Sequence, residues 1–125
     1  MESAAGPRRA AEEQPPALVT YTGFQKLEGK QFRVYVRMDR EPMLDVQHSE
    51  KRAVFTLLRS HVVLSNNKNP LDASYFQSPL VKALLRERDG NVELVMDFKQ
   101  DIRTEHRFER RGDGSVTLQI DFPAE

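Results

Sequence analysis

The sequence predicts an all-β protein: a sandwich of two small sheets built on an internal repeat. Three observations predict it. Apolar and polar residues alternate with period two along most of the chain beyond residue 18. Clusters of Gly, Asn, Asp, Ser and Pro separate these segments, and no convincing long helical pattern occurs. Finally, residues 31–46 (QFRVYVRMDREPMLDV) and 91–106 (NVELVMDFKQDIRTEH) share one pattern, an alternating run followed by a charged break.

Residues 1–17 come first. They are rich in Ala, Glu, Arg and Pro and contain no Val, Ile, Leu or aromatic residue. Such a segment has too little apolar surface to offset its ordering entropy, so it is expected to be a flexible linker, with the domain spanning 18–125. LVTYTGFQKL then reads as a strand with a glycine irregularity. KQFRVYVRM is the cleanest alternation: Phe32, Val34, Val36 and Met38 face one way and Arg33, Tyr35 and Arg37 the other. Asp39-Arg40-Glu41-Pro42 breaks it. A short strand is expected at Met43, Leu44 and Val46, then KRAVFTLL and HVVL. SNNKNPLDASYFQSP is a loop, because Asn, Asp and Ser bond nearby backbone and proline fixes φ. LVKALLRER has helix-forming Leu and Ala, yet its length and the following Asp89-Gly90 suit a hairpin arm, so a strand is expected. NVELVMDF, IRTEHRF and VTLQIDF complete the set, the last two joined by an RGDGS turn. The pattern suggests about seven or eight strands.

A shift of 60 residues puts Phe32 on Val92, Val34 on Leu94, Val36 on Met96 and Met38 on Phe98. Each half reads strand, break, strand, turn, strand. A three-stranded unit leaves one apolar face bare. Two such units packed face to face cover each other, giving a sandwich with a pseudo-twofold axis. These eight residues are the expected core.

Composition narrows the function. The 125 residues carry 19 basic and 19 acidic side chains, which disfavours a nucleic-acid partner. There is no cysteine, hence no disulfide framework and no thiolate chemistry. No apolar run reaches the ~20 residues of a membrane span, and the N-terminus lacks the apolar core of a secretory signal. The chain is therefore expected to be cytosolic, or a mature segment of an exported protein. His48, His61 and His106 are too widely spaced for the usual zinc pattern, and no serine lies in a nucleophile elbow. No metal, cofactor or catalytic residue is expected, and the protein is expected not to be an enzyme. Arg111-Gly112-Asp113 is read first as part of a turn.

FRVYVRMDREPMLDVQ, NNKNPLDASYF, VKALLRERDGNVELVMDF and GSVTLQIDF together resemble the AMIN domain over about residues 18–123. That family stands beside catalytic domains in periplasmic N-acetylmuramoyl-L-alanine amidases and near the N-terminus of type IV pilus secretins. The resemblance implies a periplasmic, non-catalytic module that binds peptidoglycan and localises its parent protein. A module that docks other proteins of an envelope assembly is the alternative.

The outward residues of the two repeats have opposite charge: Arg33, Tyr35 and Arg37 against Glu93, Val95 and Asp97. Two readings follow. The strands could lie side by side, Arg33 and Arg37 pairing with Glu93 and Asp97. Alternatively Arg33, Tyr35 and Arg37, with Asn66, Asn67 and Asn69, form a ligand face in which Arg holds carboxylates, Tyr stacks on sugar and Asn bonds amides.

Overall fold

The computed structural model describes residues 15–64, 69, 71–72 and 78–124. Ten strands run in chain order: β1 (Ala17–Leu27), β2 (Gln31–Met38), β3 (Leu44–Ser49), β4 (Arg52–Leu57), β5 (Ser60–Val62), β6 (Leu71–Asp72), β7 (Leu80–Arg88), β8 (Asn91–Phe98), β9 (Glu105–Arg110) and β10 (Val116–Pro123). Ten strands exceed the expected seven or eight; the one that the sequence did not mark is β6, a two-residue strand inside the segment read as loop. The LVKALLRER segment is the extended arm β7, paired through the Asp89-Gly90 turn with β8. Both turn residues have positive φ, 55° and 79°, as a two-residue hairpin matching the right-handed strand twist requires.

The strands form two packed five-stranded sheets, a β-sandwich. Sheet A has the order β5-β1-β2-β10-β9 and sheet B the order β3-β4-β8-β7-β6. All eight residues of the expected core are buried, none more than 4% exposed. They meet Phe55, Leu57, Leu85, Leu118, Ile120 and Phe122 between the sheets. Phe122 stacks on Phe32 at 6.0 Å between ring centroids and meets Phe98 edge-on at 5.3 Å. Alternation predicts these faces well because burial of one side is what a strand's period reports.

The repeat is present, but its halves do not each form a sheet. Sheet A contains β1-β2-β10-β9 and sheet B contains β7-β8-β4-β3. The first hairpin of each half thus pairs with the second hairpin of the other. Phe32, Val34 and Val36 face Phe122, Ile120 and Leu118 in one sheet, and Val92, Leu94 and Met96 face Leu57, Phe55 and Ala53 in the other. The charged breaks explain the exchange. Residues 39–43 do not turn back on β2 but carry the chain across to sheet B, and 99–104 carry it from sheet B to sheet A. Asp39 anchors the first crossing: its N–H donates to Leu18 O (3.1 Å) and its Oδ1 accepts from Leu18 N (2.7 Å).

The two lateral sides differ. On one, β5 runs parallel to β1 and also reaches sheet B. Ser60 N donates to Gly90 O (3.1 Å), and His61 Nδ1 lies 2.5 Å from Glu87 Oε1. On the other side, no other described strand pairs with the outer edge of β3 or β9. Each crossing is stapled to the edge strand of the opposite half. Arg110 Nη2 on β9 meets Glu41 Oε1 at 3.0 Å, and His48 Nε2 on β3 donates to Ile102 O at 2.8 Å.

The boundary of the N-terminal segment moves by one residue. Ala17, expected to belong to the linker, is the first residue of β1; it is buried, and its N–H donates to Arg59 O at 2.9 Å. Residues 1–14 lie outside the described residues. The strand expected at 102–108 begins only at Glu105, although Ile102 is buried from the crossing before it.

The Arg111-Gly112-Asp113-Gly114 segment turns β9 into β10. Asp113 Oδ1 accepts from Ser115 N (2.9 Å) and Ser115 Oγ (2.7 Å). Together these bonds hold its carboxyl below the ordinary aspartate range. The turn interaction is therefore present above that range and is lost as pH falls through the depressed value. Ser115→Ala should raise the Asp113 titration midpoint toward normal, read by side-chain carboxyl NMR; an unchanged midpoint would refute the assignment.

Candidate functional site

The centre of sheet A carries the candidate residues of β2 on its outer face. Cross-strand register sets their neighbours. Tyr21, Arg37, Thr117 and Glu109 form one row. Gly23, Tyr35, Gln119 and Arg107 form the next, and Gln25, Arg33, Asp121 and Glu105 the third. Neighbours in a row share a face, so their side chains meet.

The third row is internally satisfied. Arg33 forms a two-pronged pair with Asp121, Nε–Oδ1 2.7 Å and Nη2–Oδ2 3.0 Å. The hydrogen bond to Asp121 raises the Arg33 pKa, partly opposed by burial. The expected pairing of Arg33 and Arg37 with Glu93 and Asp97 is corrected. β2 and β8 lie in different sheets, and Glu93 pairs with Arg86 and Asp97 with Arg52. Opposite charge at equivalent repeat positions reflects equivalent places in two sheets, each with its own counter-ions.

In the middle row, Gln119 is buried. Its Oε1 accepts from Arg107 Nε (2.8 Å) and its Nε2 donates to Glu109 Oε1 (3.2 Å). Tyr35 lies over Gly23. A Cβ at position 23 would fall 2.5 Å from the Tyr35 hydroxyl, so only glycine leaves room for the ring. Tyr21 lies against Tyr35 with centroids 5.9 Å apart, and is half exposed. Burial, then the neighbouring Tyr21, pushes the Tyr35 phenol pKa up, so it remains a neutral donor.

The first row is incomplete. Arg37 Nε and Thr117 Oγ1 are buried and have no hydrogen-bond partner among the described residues. They stand on directly opposed residues of β2 and β10. Arg Nε–H can only donate, and the threonine hydroxyl can donate too. Both atoms are covered in this conformation, so what the row presents to a ligand is the half-exposed Tyr21 and the part of Arg37 that reaches solvent.

Of the candidate residues, the structure joins Tyr35 and Arg37 in one patch and commits Arg33 to Asp121. Asn69 is exposed in the segment leading to β6 of sheet B, apart from the patch, and Asn66 and Asn67 lie outside the described residues. Tyr21, Thr117 and Gln119 were not singled out by the sequence. The alternation of VTLQIDF marks Thr117, Gln119 and Asp121 as outward, but nothing local places them beside β2.

A cleft of about 520 Å³ lies on the open side between β3 and β9, lined by Val46, His48, Asp101, Arg103, Thr104 and His106. Among the described residues, no group of three His, Asp or Glu side chains is arranged to hold a metal ion. Among the described residues, no helix is long and apolar enough to cross a membrane. No protein-family model matches the chain, and no curated protein matches it either.

Proposed function

We propose that this chain is a non-catalytic cell-envelope module, similar to the AMIN domain, that binds peptidoglycan through the outer face of sheet A and so localises its parent protein. The Tyr21–Tyr35 pair, with Tyr21 half exposed, beside the partly exposed Arg37 carries this reading. Peptidoglycan offers stem-peptide carboxylates for the arginine and sugar faces for the rings. Arg33 supports the platform through Asp121 instead of touching ligand.

Co-sedimentation with insoluble peptidoglycan tests the proposal. The native chain should pellet, and less of it in high salt because the contact is ionic. Arg37→Ala and Tyr35→Ala should each reduce the bound fraction at least several-fold with unchanged circular dichroism. Gly23→Ala should act likewise by displacing the Tyr35 ring. Equal pelleting of all variants would refute the proposal. Docking within an envelope assembly is the second reading; the free backbone edges of β3 and β9 favour it, since an edge can accept an added strand.

A further inference from the structure

The β9 edge is charged but lacks two of the devices that block strand addition. It has no proline, and its pairing with β10 shows no bulge. Its charges are mixed in sign, so they do not uniformly repel a copy.

The backbone orientation of β9 follows from its turn. Arg111 N donates to Ser115 O at 2.9 Å. Antiparallel ladders alternate, so odd-numbered residues of β9 point their backbone groups at β10. The N–H and C=O groups of His106, Phe108 and Arg110 therefore face the open side. No other described strand pairs there.

A second copy can pair with these groups only in registers that oppose even-numbered residues to even-numbered residues. Centring on Phe108 opposes Arg107 to Glu109 of the other copy, twice, on the outer face. Phe108 then meets itself on the inner face, where it is half buried against the core. His106 meets Arg110, whose charge is already held by Glu41. Centring on Arg107 instead opposes Arg107 to itself and Glu105 to Glu109. Centring on Glu109 opposes that carboxylate to itself. Like charges directly opposed are destabilising. Centring on His106 opposes Glu105 to Arg107 but overlaps only residues 105–107 of β9, whereas centring on Phe108 overlaps 106–110, so the Phe108 register pairs the most backbone without opposing like charges on the outer face.

We propose that β9 is a self-association edge: two copies pair antiparallel about Phe108 through a twofold axis, joining two A sheets into one continuous sheet. Such an interface closes on itself and gives a dimer, not a filament. It leaves the Tyr35–Arg37 patch of each copy free, on the same face of the joined sheet, and is independent of what that patch binds.

Sedimentation equilibrium tests this. The mass should rise with concentration from 14.4 kDa toward twice that value. Arg107→Glu alone and Glu109→Arg alone should each hold the chain monomeric, by opposing like charges across the axis. The double exchange R107E/E109R should restore the dimer. The chain has no cysteine, so Phe108→Cys introduces a single thiol on the axis, where opposed Cα atoms about 5.5 Å apart suit a disulfide. Mild oxidation should cross-link Phe108→Cys and leave Val46→Cys, on the β3 edge, monomeric. A native chain that stays monomeric at all concentrations, a double exchange that does not restore the dimer, or cross-linking through Val46→Cys would each overturn the proposal.

Discussion

Phe55→Ala is expected to destabilise the fold by about 3–5 kcal/mol, the usual loss when a buried phenylalanine is truncated. Phe55 is fully buried in β4, opposite Leu94 of β8 and edge-on to the imidazole of His106 at 5.5 Å. It therefore touches sheet B and the β9 edge of sheet A together. The cavity left behind cannot collapse easily, since β4 is held by β3 on one side and β8 on the other. Against a typical total stability of 5–15 kcal/mol, the loss is severe. Chemical denaturation monitored by circular dichroism checks it; a loss below about 1 kcal/mol would mean that the inter-sheet packing is wrong.

Asp121→Ala should cost about 2–3 kcal/mol, as expected when a largely covered, charge-assisted pair loses one partner. Arg33 would keep its charge with its guanidinium only 17% exposed and both acceptor oxygens gone. Replacing both partners by leucine should recover part of that loss, because no uncompensated charge then remains. Arg33→Ala and Asp121→Ala should be strongly non-additive. Arg33→Ala and Glu93→Ala should add to within about 0.5 kcal/mol, since they share no partner. The reverse pattern of couplings would restore side-by-side pairing of β2 with β8 and refute the sheet topology.

The sequence by itself determined which residues are buried and that the architecture repeats. Phe32, Val34, Val36 and Met38, and their counterparts Val92, Leu94, Met96 and Phe98, were legible because side-chain orientation alternates along each strand, a strictly local property. Tyr35 and Arg37 were legible as outward-facing on the same ground. Pairing is not local. Whether Asp39–Pro42 reverses the chain within a sheet or carries it across the core depends on which distant strand offers a complementary edge. Only the tertiary structure decided that the two halves exchange hairpins, that Arg33 meets Asp121 and not Glu93, and that Thr117 stands beside Arg37. It also decided which edges are bare. β3 and β9 look like any other strand in sequence, and no described strand pairs with their outer backbone groups because each lies last in its sheet. Composition and period specify what faces the core. The neighbours that give an outward side chain its chemistry are set by register between residues some eighty positions apart.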